Sequence, residues 1–170
     1  MEYGNRIYMV TSKDFENLTT TLKLPIYDIL IVGDGSGTTV DKPGGAACIM
    51  YDYANKTIAW YTSSFNHATN NFSELVPYIH ALWAYECINK QSQNKYRLRV
   101  EIVSDSEVSV KCGNKEYTRN ANAMLWASID WFNSHGYALH WNWVPRNSNS
   151  VSTAMDELSK KMRLSIDRPE

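Results

Sequence analysis

Residues 29–37 read ILIVGDGSG. Four apolar residues, Ile29, Leu30, Ile31 and Val32, run toward a single acid, Asp34, which is followed by Gly35, Ser36 and Gly37. An aspartate at the end of an apolar strand is costly to desolvate unless something compensates it. On this stretch alone two readings stand. One is a strand that ends in a glycine turn, with Asp34 solvated. The other is a metal-binding carboxylate held on a rigid strand. The rest of the chain decides between them.

A chain of 170 residues suits one domain and is long enough to bury a full core. Its 44% hydrophobic content and six tryptophans argue for a folded protein. The net charge of −1 excludes a global basic field that would advertise nucleic acid. Basic residues do cluster, at Lys95, Arg97 and Arg99, at Lys111, Lys115 and Arg119, and at Lys160, Lys161 and Arg163. Such runs are ordinarily solvated faces. Cys48, Cys87 and Cys112 are odd in number and widely spaced, so they form neither a metal pattern nor a disulfide framework, which fits a reducing compartment. The opening MEYGNRIYMV lacks the apolar core of a signal peptide, and no segment has the length of a membrane span. The expectation is a soluble, cytoplasmic monomer with no membrane partner.

Residues 1–26 are mixed in character and close on the break Lys23, Leu24, Pro25, so they read as an N-terminal extension to a domain over 27–170. Residues 27–33 form an expected buried strand. Segments 44–53 and 56–65, rich in small, β-branched and aromatic residues, are two further strands joined by a turn at Asn55 and Lys56. Leu75, Ile79 and Leu82 make an apolar stripe at helical spacing within 68–90. Thr69, Asn70 and Asn71 are natural capping residues there, while Pro77 should kink that helix or delay its start. Residues 96–105 read as a fourth strand, 122–136 as a helix closed by Gly136, 137–145 as a fifth strand and 150–163 as a last helix. The order fits an α/β fold with a five-stranded mixed sheet covered by helices: strands one to three antiparallel, strands four and five parallel to the first.

Four acids occupy telling places: Asp34 after the first strand, Glu74 near the start of the first main helix, Asp105 closing the fourth strand, and Asp156 early in the last helix. Singly, each has an ordinary explanation as a turn residue, a helix cap or a partner of a helix dipole. Together they say more. If strands one and four are parallel neighbours, Asp34 and Asp105 emerge side by side at one sheet edge, where ligands gather in such sheets. Crowded carboxylates raise each other's pKa unless cations neutralise them. Hard divalent cations, Mg²⁺ or Mn²⁺, suit an all-carboxylate set. Two such ions about 3.5–4 Å apart are machinery for phosphodiester hydrolysis.

The DGSG at 34–37, the TNNxxEL at 69–75, the SDS at 104–106 and the DEL at 156–158, in that order, resemble the ribonuclease H family. Leu125 with Trp126, and Trp141, Trp143 and Val144, extend the resemblance over residues 27 to 163. It implies a ribonuclease H-like fold and an endonuclease that cuts the RNA strand of RNA–DNA hybrids with two Mg²⁺, for which Mn²⁺ can substitute. By similarity Asp34 bridges both ions, Asp156 completes the site of the ion that activates water, and Glu74 and Asp105 hold the ion at the leaving oxygen. Glu74 also accepts from the ribose 2′-hydroxyl, the group that separates RNA from DNA. Thr69 helps to bind a DNA-strand phosphate, and Asn70 and Asn71 reach the minor groove. Gly35 and Ser36 lie where the backbone approaches the RNA strand.

The chain departs from the family at several points. Arg146 is the nearest counterpart of a loop histidine, Ser152 stands where the last helix often begins with asparagine, and Glu107 adds a fifth acid. The turn after Asp34 is lengthened and carries Lys42, and segment 107–121 is too short for a long basic handle. Trp126, Trp141 and Trp143 are expected in or at the edge of the core, and no histidine is assigned a catalytic role. The alternatives are a DNA nuclease or junction resolvase of the same fold, and a non-catalytic nucleic-acid-binding module.

Overall fold

The structure is a computed structural model and describes residues 10–166. The strands are β1 (Ile29–Ser36), β2 (Gly44–Asp52), β3 (Thr57–Phe65), β4 (Leu98–Ser104) and β5 (Tyr137–Trp143). The helices among the described residues are α1 (Ser12–Leu22), α2 (Asn70–Asn89), α3 (Glu107–Gly113), α4 (Ala123–Ser134) and α5 (Ser150–Ile166), with one turn of 3₁₀ helix at Gln91–Gln93. The strands form one sheet in the order β3-β2-β1-β4-β5. β1 is antiparallel to β2 and β2 to β3, whereas β4 runs parallel to β1 and β5 parallel to β4. This is the mixed sheet expected from the sequence.

β1 is buried along its whole length, which is why it reads as a continuous apolar run rather than an alternating one. Ile29 and Ile31 face a core built with Val100, Ile102, Leu75, Leu82, Trp126 and Phe132 under α2 and α4. Leu30 and Val32 face the opposite core, with Val103, Tyr51, Val151 and Met155 under α5. The central strand is thus clamped between two layers, and whatever it carries at its C-terminal end is held rigidly.

Two features depart from expectation. First, the GDGS stretch is no turn: β1 continues through it, and Asp34 pairs with Ala47 of β2. Second, α1 lies in the segment read as mixed. Thr11 and Asp14 form its capping box, and Phe15 and Leu18 are buried in the second core. Residues 1–9 of the expected extension lie outside the described residues. Pro77 sits inside α2, which starts ahead of it at Asn70 rather than being delayed by it. Proline lacks the amide that would have bonded the Ser73 carbonyl, and that carbonyl lies directly over Gly35. Tyr78, next along, donates its hydroxyl between the carbonyls of Gly33 (3.0 Å) and Val103 (2.7 Å), fastening α2 across β1 and β4. Among the described residues no helix is long and apolar enough to cross a membrane.

Candidate active site

Backbone contacts explain why the acids converge. A Cβ at Gly35 would lie 2.1 Å from the backbone carbon of Ser73 and 2.4 Å from the nitrogen of Glu74. Only glycine lets α2 rest on β1 this closely, so the glycine after Asp34 is required by the protein's own helix. Thr69 caps α2 by accepting from the Phe72 amide (3.1 Å), which sets Glu74 one turn inside the helix above Asp34. On the other face, a Cβ at Gly45 would lie 2.3 Å from the Ser159 carbonyl, so α5 lies on β2 and carries Asp156 over the sheet. Asn149 starts α5: its Oδ1 accepts from the Ser152 amide (2.9 Å) and its Nδ2 donates to the Ser152 hydroxyl (3.0 Å). The capping asparagine therefore stands three residues before Ser152, the position where the family pattern puts one. Asp105 follows β4, whose Val103 pairs with Val32 of β1.

Asp34, Glu74 and Asp105 each bring a carboxylate oxygen to within 4.8 Å of the others. Asp34 is 2% exposed and Glu74 4%. The Gly35 amide donates to Asp34 Oδ1 (2.8 Å), but Asp34 Oδ2 and Glu74 Oε2 are buried without a hydrogen-bond partner. Burial, followed by the charges of Asp105 and Asp156, pushes the Asp34 carboxyl from 3.8 up to about 8. Burial and the Asp34 charge raise Glu74 well above the usual carboxylate range. Asp105 is also raised by burial, with the Arg146 guanidinium opposing the shift. Asp156 joins the cluster beside Asp34 and carries two cations: Lys160 Nζ at 3.0 Å and Arg146 Nη2 at 3.9 Å. Arg146 Nε also lies 3.7 Å from Asp105 Oδ2.

Orphaned buried oxygens are uncommon in folded proteins because each costs desolvation energy. Here the donors are all carboxylate oxygen, the set that a hard divalent cation prefers. The residues present therefore fit Mg²⁺ or Mn²⁺, and Asp34, Glu74, Asp105 and Asp156 are those that would hold it.

The other expected site residues are placed as follows. Gly35 and Ser36 are buried inside β1. Asn70 and Asn71 are exposed at the start of α2, and half-buried Thr69 bridges to Thr38 of the β1–β2 connection. Lys42 is exposed on that connection, which is tied to the lead-in of α2 by the Ala68 amide donating to the Lys42 carbonyl (3.0 Å). Arg146, on the loop before α5, is the one expected substrate contact that forms ion pairs with the acids. Glu107 stays out of the cluster and pairs with Lys111 at 2.8 Å. Trp126 and Trp141 are core residues, whereas Trp143 is 47% exposed and donates its indole N–H to the Asp105 carbonyl (3.1 Å). Lys160 is a site residue that the sequence reading misses; its only signal there is the i,i+4 spacing from Asp156.

The RNase H family model matches residues 27–163. No curated protein matches the chain in sequence. Among solved structures it is similar to the N-terminal RNase H domain of Rv2228c from Mycobacterium tuberculosis, with 19% identity over 84% of this chain and 97% of that one and a TM-score of 0.68. LC11-RNase H1, isolated from compost by a metagenomic approach and solved in complex with RNA/DNA hybrid, shares 21% identity over 82% of this chain and 99% of its own, also at 0.68. RNase H1 from the halophilic archaeon Halobacterium salinarum shares 20% over 79% and 96%, at 0.59. Identities this low carry the fold alone, but the family match spans most of the chain. The chain belongs to the ribonuclease H family.

Proposed function

We propose that this chain is an endonuclease that hydrolyses the RNA strand of RNA–DNA hybrids with two divalent ions, Mg²⁺ or Mn²⁺. The observation that carries the reading is the buried carboxylate cluster with two partnerless oxygens, in a member of the ribonuclease H family. The structural likeness to LC11-RNase H1, solved with an RNA/DNA hybrid, supports the choice of substrate. When bound, the ions supply charge for the transition state and lower the pKa of an attacking water. Asp34 would reach both ions, Asp156 the one on the water side, and Glu74 and Asp105 the one at the leaving oxygen. Glu74, at the start of α2, is also the group to accept from a ribose 2′-hydroxyl, which selects RNA over DNA. Thr69, Asn70 and Asn71 orient the DNA strand, and Lys42 and Arg146 contact phosphates. Beside Asn71 opens a cavity of about 550 Å³ between α2 and the loop that follows α3, lined by Leu75, Tyr117, Asn120, Asn122 and Trp126. With Arg119 also in its lining, it gives the DNA strand a polar and aromatic wall carrying one arginine in place of a long basic handle.

The test is incubation with end-labelled RNA–DNA hybrid, duplex DNA and duplex RNA, with Mg²⁺ and with excess EDTA. The expected result is cleavage of the RNA strand of the hybrid, abolished by chelation. Cleavage that persists in EDTA would overturn the two-metal reading, and equal cutting of duplex DNA would move the chain to a DNA nuclease of the same fold.

A further inference from the structure

The cluster is charged unevenly. Both cations stand on the Asp105–Asp156 side: Arg146 spans the two acids at 3.7 and 3.9 Å, and Lys160 lies 3.0 Å from Asp156. Among the described residues no ion pair reaches Asp34 or Glu74. The partnerless oxygens belong to those same two residues. One side of the site is ion-paired, and the other is touched by the Arg146 charge only from a distance.

The two cations differ in freedom. Lys160 lies one helical turn beyond Asp156, so its amine stays within reach of the carboxylate. Such an i,i+4 pair on a helix surface is worth little. Asp156, however, has a side chain only 8% exposed, where screening by water is weak. Arg146 is 64% exposed and sits on the short loop between β5 and α5. Its contacts are long for a guanidinium, which bonds best through two parallel N–H groups. It covers the acids without being locked to them.

We infer that Arg146 and Lys160 are resident counter-cations that cover the Asp105–Asp156 side of the cluster. A first divalent ion enters on the Asp34–Glu74 side, and the Asp105–Asp156 side is freed for a second only as Arg146 withdraws. A nucleic-acid phosphate offers Arg146 the bidentate partner that its present position lacks, so arrival of substrate and full loading of the site are coupled through one side chain. Lys160 remains behind and orients Asp156. This inference rests on the metal-dependent reading above.

The experiment is calorimetric titration of the metal-free full chain with Ca²⁺ at pH 8 and low salt, without substrate. The proteins are the parent, Arg146→Ala, Arg146→Lys and Lys160→Gln, each first shown to be folded by its circular-dichroism melt. The parent should take up one ion. Arg146→Ala should bind about tenfold more tightly and take up a second ion, because a monovalent charge a few ångströms away no longer opposes it. Lys160→Gln should shift in the same direction, and Arg146→Lys should stay within about threefold of the parent. Should Arg146→Ala prove unfolded, Lys160→Gln carries the comparison. Equal or weaker binding by Arg146→Ala, with one ion in every protein, overturns the counter-cation role and leaves the metal site standing. Absence of Ca²⁺ uptake in all four proteins overturns both.

Discussion

Replacing Asp34 by asparagine should stabilise the metal-free protein, although it removes the group proposed to touch both ions. The Asp34 carboxyl is displaced from 3.8 to about 8, a difference of about 4. At about 1.36 kcal/mol for each, full ionisation at this position opposes folding by at most about 6 kcal/mol. Water entry and side-chain relaxation reduce such penalties, and the asparagine must still bury an amide. A net gain of about 2 kcal/mol is therefore expected at pH 8. For a chain of this size that raises Tm by roughly 4–8 °C. The pH dependence fixes the cause. A carboxyl with a raised folded-state pKa keeps a proton that the unfolded chain has already released, so its contribution is fully present below about pH 4 and is lost as pH rises toward 8. At pH 5 Asp34 is protonated in the fold but already ionised in the unfolded chain, so roughly a third of the penalty is present and the advantage of the variant should shrink to below about 1 kcal/mol. The assay is thermal unfolding in EDTA at pH 5 and pH 8, repeated with saturating Mn²⁺, where the parent alone should gain strongly and the order reverse. A variant that melts no higher than the parent in EDTA at pH 8, or that gains equally at pH 5, would refute the reasoning.

Hybrid cleavage by Asp34→Asn should fall by several orders of magnitude, measured as single-turnover rate in Mg²⁺; a rate within tenfold of the parent would return Asp34 to a structural role. Mn²⁺ affinity should rise between pH 6 and pH 8.5 with release of protons, because the acids hold protons that the ion must displace; calorimetry in buffers of different ionisation enthalpy counts them. Gly35→Ala should prevent stable folding, since its Cβ would meet the Ser73 and Glu74 backbone at 2.1–2.4 Å; a variant that melts within a few degrees of the parent would contradict that packing. Tyr78→Phe should cost about 1–2 kcal/mol by leaving two buried carbonyls short of a donor, read by urea unfolding. With no basic handle, log K for hybrid against log salt should have a shallow slope, on the order of −2 to −4, in a titration of a catalytically dead variant.

Much of the site is legible in the sequence because it depends on order along the chain. Four acids, each near the end of a strand or within the first two turns of a helix, need only a parallel β1–β4 pair to meet, and the apolar runs ending near Asp34 and Asp105 announce that pair. What stays hidden depends on contacts distant in sequence. That Gly35 answers to Ser73, 38 positions on, cannot be seen from a DGSG motif, which looks like a turn until the helix above it is known. α1 is masked because Thr19, Thr20 and Thr21 are poor helix formers and only Phe15, Leu18 and Leu22 supply its apolar stripe; packing against the second core overrides the local preference. Lys160 belongs to a basic run that reads as a solvated face, which is what most of that run is. Trp143 alternates with Trp141 along β5 and looks equally buried, yet β5 is an edge strand and its far end faces solvent.

The placement of α1 bears on how the protein can be handled. The family match begins at residue 27, yet Phe15 stacks on Tyr51 at 5.0 Å with the rings 13° from parallel, and Leu18 sits in the same layer as Val144 and Val151. Ser150, first residue of the helix that carries Asp156, donates to Asp14 at 3.1 Å. An expression fragment trimmed to the matched boundaries would bare the Tyr51 ring and the flank of α5 to solvent, a sticky face beside the very loop that bears Arg146. Such a fragment would tend to self-associate on purification, and low activity in it would report the missing helix rather than a defective centre.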